Sequence, residues 1–207
     1  GNLAAAADGA DISGVCDDIQ KTVEMGYSAV KVGMIPYTGY DAPISAVRHV
    51  AKLAEAIRER VGEDIALMTD FHGRPESSAA AKAFIDVIAP IAPLFVEEPI
   101  QPGNARRMAE LQRQVECPLA TGERLLQPEQ FSELVEHGAV TYVQPDLAHC
   151  MGFSGGKRIA AIAEAHSVGL CPHNPMGPVA SAVALQFDAA MTNFVIQEEC
   201  SGLVPWF

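Results

Sequence analysis

The sequence predicts an α/β fold of the (β/α)8 barrel type, represented here by the strands that follow the first. Two observations carry this. Short β-branched or apolar runs alternate with helical stretches at a regular period, and nearly every run ends in a polar residue. The runs are 29–31, 65–70, 95–97, 119–123, 142–146, 170–173 and 194–198. The terminal residues of the last six, 70, 97, 123, 146, 173 and 198, are separated by 27, 26, 23, 27 and 25 residues. A strand–helix repeat near 25 residues favours a parallel sheet. Polar residues at successive strand ends favour a closed barrel over a doubly wound open sheet, which concentrates its site at one switch point.

Taken in order, the segment up to Asp11 has turn composition and a helical stretch follows it. Seven strands can be counted, whereas a closed barrel needs eight and usually about 250 residues. The missing strand is expected before Gly1, so residues 1–207 read as one incomplete barrel domain. Between strands, Pro128 opens a helix that His137-Gly138 closes, and His166 with Gly169 ends another in the same manner. Helix-end placement explains His137 and His166 without a ligand role. The Ala-rich run from Pro178 to Met191 reads as a core-packed helix, too short for a membrane span and interrupted by Asp188.

Composition sets limits on function. The chain of 207 residues is 49 % hydrophobic, enough to bury a sizeable core. A net charge of −12 argues against nucleic acid or an anionic membrane surface as partner. No stretch of about 18 apolar residues occurs, and GNLAAAADGAD lacks the basic start of a signal peptide. The five cysteines are odd in number and never form a C-x-x-C pair. That argues against a disulfide framework or zinc site and makes the cytoplasm the expected location.

The strand ends carry the candidate chemistry, because catalytic residues of parallel barrels sit at the C-terminal ends of strands. Asp70, Glu97 and Glu123 end three consecutive strands. Three hard oxygen ligands suit Mg2+ better than zinc. Strand-end acids also cap helices, but three in succession at this period point to a metal. Side chains alternate along a strand, so only one of Glu97 and Glu98 can be a ligand. His72 lies two residues beyond Asp70 and would point the same way if the strand extends that far, making it a candidate general acid. Asp146 and His173 end neighbouring strands, where the carboxylate can fix the imidazole tautomer and leave the other nitrogen free to take a proton. His149, in the loop after Asp146, can line the same pocket. Gly155-Gly156-Lys157 resembles a phosphate loop, but Met151 and Arg158 break its frame.

Six ordered motifs, TDFHGR, LFVEEPI, TGERL, VQPDLAHCMGFSGG, CPHNPMGP and VIQEE, resemble the barrel of the enolase superfamily in its mandelate racemase and muconate-lactonizing branch. Within it they are most similar to the D-galactonate dehydratase group of sugar-acid dehydratases, over about 31–199. The resemblance implies Mg2+ held by Asp70, Glu97 and Glu123, a dyad of His173 with Asp146, and His72 as the acid that protonates the departing hydroxyl. It implies that Glu198 steadies the substrate carboxylate and the enediolate. It also implies an N-terminal α+β capping domain outside this chain, a small-molecule sugar-acid substrate, and a homo-oligomer in the full-length form. The sequence departs from many relatives at Lys31-Val32-Gly33, where a second lysine base would stand. A lysine–histidine racemase is thereby disfavoured, and Lys31 can either touch substrate or support carboxylates. Arg74 and Arg124 flank the metal motifs as substrate contacts or as salt-bridge partners.

Three functions stay open. The first is an Mg2+-dependent aldonic-acid dehydratase giving a 2-keto-3-deoxy acid. The second is a racemase or epimerase of a 2-hydroxy acid that uses His72 and His173 as its two bases. The third is a non-catalytic barrel remnant.

Overall fold

The computed structural model describes residues 11–200. The expected strand ahead of Gly1 lies outside the described residues. The chain divides into two compact units, one of residues 1–101 with 113–119 and one of residues 102–112 with 120–207.

The first unit contains α1 (Ile12–Glu24), β1 (Ala29–Val32), α2 (Ile44–Val61), β2 (Ala66–Asp70), α3 (Ser78–Ile88), a 3-10 turn (Ala89–Ile91) and β3 (Phe95–Glu97). Asp11 and Ser77 begin α1 and α3 by accepting the backbone N–H of Ser13 and Ala80 at 3.1 and 3.0 Å. β1 pairs with β2 and β2 with β3, all parallel. Apolar faces at helical spacing, Val50, Leu53, Ala54 and Ile57 on α2 and Ala81, Phe84, Ile85 and Ile88 on α3, are buried. Phe71, just past β2, meets Phe84 edge to face with ring centroids 6.5 Å apart. Arg58 ties the end of α2 down by donating to the carbonyls of Gly62, Ile65 and Ile91.

The second unit contains α4 (Ala105–Gln112), all but the first residue of β4 (Leu119–Thr121), α5 (Pro128–Glu136), β5 (Tyr142–Val143), α6 (Gly152–Ala165), β6 (Gly169–Leu170) and α7 (Pro178–Asp188). β4 pairs with β5 and β5 with β6, again parallel. Pro128 does open α5, and His137 with Gly138 at φ 63° closes it. At the end of α6 the left-handed residue is Ser167 rather than Gly169, which lies in β6. Gly169 is glycine for room, since a Cβ there would stand 2.8 Å from the Tyr142 ring. The core-packed reading of the Ala-rich run also fails in part. Only Ala184, Phe187 and Asp188 of α7 are buried, and Val179 and Leu185 are well exposed.

The later strands are shorter than the sequence suggests, and proline is the reason. Pro145 and Pro172 cannot donate to a sheet ladder, so β5 and β6 stop at Val143 and Leu170. Asp146 and His173 follow as an isolated parallel bridge. The expected strand at 194–198 is reduced to a bridge between Phe194 and Leu170. Among the described residues no helix is long and apolar enough to cross a membrane.

Candidate active site

In the first unit, register decides which side chains meet. Lys31 is paired with Met68, Met68 with Phe95, and Asp70 with Glu97. Residues paired across parallel strands share a face, and alternation then puts Lys31, Asp70 and Glu97 on one side of the sheet. The Lys31 ammonium lies 2.6 Å from Glu97 Oε2 and 3.8 Å from Asp70 Oδ2. Both carboxylates are almost fully buried, Asp70 at 1 % and Glu97 at 0 % exposure. Of the two roles left open for Lys31, the one made in this structure is an ion pair with carboxylates. Two buried carboxylates facing one ammonium leave an excess of negative charge, and the donors are hard oxygens. That combination fits a small divalent cation of the Mg2+ kind.

His72 reaches Asp70 by a route other than strand alternation. β2 ends at Asp70, and His72 takes a left-handed backbone at φ 51°. Its N–H donates to Asp70 Oδ1 at 2.9 Å, and its Nε2 stands 3.0 Å from Asp70 Oδ2. Glu98 likewise leaves the strand, at φ 41°, and is fully buried. The two turns are joined, since the Gly73 N–H donates to the Glu98 carbonyl at 2.7 Å. Arg74 sends its guanidinium to the Ile35 carbonyl in the loop after β1.

In the second unit, Gly122 at φ 155° carries the chain past β5. A Cβ there would stand 2.7 Å from the Gln144 backbone, so no other residue fits. The next residue, Glu123, brings its Oε2 to 3.0 Å from His173 Nε2, and Asp146 Oδ2 lies 2.9 Å from His173 Nδ1. Asp146 also accepts the Ala148 N–H at 2.7 Å. Glu198 Oε2 stands 3.9 Å from His173 Nε2. Burial opposes charge on the His173 ring, but its bonds to Asp146 and Glu123 and the charges of Glu198 and Glu123 prevail and push its pKa up to about 10. Burial would raise the Asp146 carboxyl, yet the His173 and Ala148 hydrogen bonds hold it below its ordinary value. Arg124 Nε is 4.0 Å from Glu123 Oε1, and His149 Nδ1 is 3.6 Å from Asp146 Oδ2; both side chains are well exposed.

Gln101 and Asn174 escaped the sequence reading. Gln101 donates to the Gly73 carbonyl at 2.8 Å, and Asn174 bonds both α7 and Glu198. Position is the only signal the sequence offers for them. Asn174 directly follows the candidate base between two prolines, and Gln101 follows the Glu-Glu-Pro run closely.

A parallel α/β chain with carboxylates and a His–Asp pair at its strand ends defines a class of barrel enzyme. The chain belongs to the enolase C-terminal domain-like family, which matches residues 14–207. It is similar to an Agrobacterium radiobacter enolase, a candidate galactarate dehydratase holding sodium and L-malate, at 31 % identity and TM-score 0.82. That match covers 95 % of this chain and 50 % of the relative. A mandelate racemase/muconate lactonizing enzyme from Jannaschia sp. CCS1 is 32 % identical at TM-score 0.86, over 94 % of this chain and 50 % of its own. A candidate dehydratase from Zymomonas mobilis ZM4 is 29 % identical at TM-score 0.86, over 91 % and 50 %. The chain thus spans about half the length of these relatives. The fold is the enolase-type α/β barrel domain, and its family is one of dehydratase- and racemase-type enzymes.

Proposed function

We propose that this chain is the metal- and base-bearing part of an Mg2+-dependent dehydratase of an aldonic acid, D-galactonate-like, which yields a 2-keto-3-deoxy acid. The observation that carries the reading is the His173–Asp146 pair at 2.9 Å, with Nε2 on the opposite side of the ring facing acidic groups. Asp70, Glu97 and Glu123 are the residues that would hold Mg2+. When bound, the cation supplies Lewis-acid stabilisation of the charge that develops when a proton is taken from the carbon beside a carboxylate.

The chain's own residues do the rest. Asp146 orients His173 through Nδ1, and a cation held by Glu123 would offset the acidic groups that keep the ring protonated, so that Nε2 of the neutral ring is the atom that takes the C2 proton. His72, anchored on Asp70, gives a proton to the C3 hydroxyl as it leaves as water. Loss of that water gives an enol, which becomes the 2-keto acid. Lys31 sets its positive charge against Glu97 and Asp70, and Glu198, in its protonated form, donates a hydrogen bond to the substrate carboxylate end. Arg74 and Arg124 border this region, Arg74 as a support for the loop after β1. The similarity to an enolase holding L-malate, a 2-hydroxy acid, supports an acid substrate. The expected setting is the cytoplasm, with the full-length protein a homo-oligomer.

A second reading, a 2-hydroxy-acid racemase or epimerase, is favoured by the presence of two histidines, His72 and His173, each held by a carboxylate. One experiment separates the two. The full-length protein with Mg2+ is offered six- and five-carbon aldonic acids, with detection of 2-keto acids and of solvent deuterium at C2. A keto acid that disappears with EDTA and in His173→Asn supports the dehydratase. Deuterium at C2 without keto acid favours the racemase, and neither signal in folded, metal-loaded protein refutes the substrate class.

A further inference from the structure

Glu198 sits on a segment that regular sheet barely holds. The Leu170 N–H donates to the Asn193 carbonyl and the Val195 N–H to the Leu170 carbonyl, both at 2.9 Å. Beyond Val195 the ladder gives way. Pro172 has no N–H to offer, and the Glu198 N–H reaches the Pro172 carbonyl only at 3.4 Å.

Two side-chain amides take over there. Gln197 Nε2 donates to the carbonyls of Pro172 at 3.0 Å and Glu198 at 2.8 Å. Asn174, only 3 % exposed, donates its Nδ2 to Ser181 Oγ at 2.9 Å and more weakly to the Glu198 carbonyl at 3.5 Å. The Asn174 backbone N–H donates to Glu198 Oε2 at 3.1 Å. Ser181 stands in the first turn of α7 and its hydroxyl donates a hydrogen bond to the Gly177 carbonyl at 3.4 Å. Asn174 therefore joins a helix, the segment bearing His173, and the Glu198 carboxylate. A plain helix cap does not account for this, because Gly177 is the N-cap of α7 and two of the three Asn174 bonds go to Glu198.

We propose that Asn174 is a positioning residue: anchored on Ser181, it sets where the Glu198 carboxylate stands against His173 Nε2. The proposal rests on reading His173 as the base and Glu198 as the group that steadies the substrate carboxylate. A carboxylate displaced by about 1 Å from its working position costs on the order of 100-fold in rate. The effect falls on kcat, since a hydrogen bond donated by the protonated Glu198 carboxyl to the substrate carboxylate strengthens as negative charge builds there in the transition state.

The test uses the intact Mg2+-loaded enzyme and its aldonate substrate. Asn174→Ala is expected to lower kcat about 100-fold while KM changes far less. In a Glu198→Gln background the same change is expected to cost almost nothing further, because two residues acting as one unit are non-additive. A crystal structure of Asn174→Ala should show Glu198 turned away from His173. Should that variant fold poorly, Ser181→Ala removes only the anchor and is expected to lower kcat in the same direction with the same non-additivity. Losses that add in the double variant, or a Glu198 that keeps its place in the variant structure, overturn the proposal. A wild type inactive on every aldonate refutes the dehydratase reading, while the position of Glu198 in the variant crystal still decides the role of Asn174.

Discussion

Replacing Lys31 by Met tests whether the ammonium supports the carboxylates or serves substrate. Its Nζ lies 2.6 Å from Glu97 and 3.8 Å from Asp70. At an effective dielectric of about 20 those separations give gross attractions of roughly 6 and 4 kcal/mol. Much of this is offset by removing three charges from water. Taking away one partner of a buried pair has a net cost of about 3–5 kcal/mol, because the remaining charge stays buried. Met keeps most of the side chain's length and its apolar stem, so the main loss is the charge. Urea unfolding of the metal-free protein at pH 7 should show that loss. Repeating it with Mg2+ should narrow the gap between variant and wild type, since a cation on Asp70 and Glu97 supplies the missing positive charge. A loss below about 1 kcal/mol, the scale of an exposed pair, would refute the reasoning and leave Lys31 to the substrate.

Three more expectations follow from the same geometry. Asp188, 6 % exposed with neither carboxylate oxygen hydrogen-bonded, has its carboxyl pushed up by burial to about 7. A raised folded-state pKa gives stability that is complete below the unfolded value and lost as pH rises through 7. Asp188→Asn should therefore stabilise the protein at pH 8 by up to about 4 kcal/mol but hardly at pH 4, and equal effects at both values in denaturant unfolding would contradict this. Asp146→Asn should reduce solvent exchange at substrate C2 by about 100-fold or more, since an amide neither charges nor reliably orients the His173 ring; a change within threefold would remove Asp146 from the dyad. Gly155→Ala would bring a Cβ to 1.6 Å from the Cys150 carbonyl oxygen. The backbone must then shift, and a midpoint of thermal unfolding within a degree of wild type would show that this close approach is absent in solution.

The legible parts of the fold were those that backbone periodicity dictates. Asp70, Glu97 and the runs that lead to them could be located because buried parallel strands are apolar and end abruptly at charge. The run 95–97 coincides with β3. Less legible was where pairing stops. Pro145 and Pro172 are visible in the sequence, yet their effect on β5 and β6 depends on which neighbour each carbonyl and N–H faces. Ser167, not Gly169, takes the left-handed position after α6 because Gly169 is needed where β6 passes Tyr142. Periodicity is also blind to Asn174, whose role comes from contacts with Ser181 and Glu198, 7 and 24 residues away. Side-chain amides carry no repeating pattern that a sequence can display.

The candidate site residues share a physical setting, the exit from a strand into irregular backbone. Asp70 is followed by His72 at φ 51°, Glu97 by Glu98 at φ 41°, and Glu123 is preceded by Gly122 at φ 155°. Left-handed backbone at a non-glycine residue costs on the order of 1–2 kcal/mol, so such conformations persist only where surrounding bonds hold them. At His72 they are held several times over. Its N–H bonds Asp70, the Gly73 N–H bonds the Glu98 carbonyl, and Gln101 bonds the Gly73 carbonyl. A straight continuation of β2 would carry the residue after Phe71 along the sheet axis, away from Asp70. The turn instead folds the imidazole back to 3.0 Å from that carboxylate. The strain at these exits is thus tied to geometry that places acids and imidazoles together, and a turn released from its bonds would loosen the ring that the proposed chemistry needs fixed. On that argument Gln101, whose hydrogen bond goes to the turn backbone at Gly73, belongs with Asn174 among the residues that hold the site in shape.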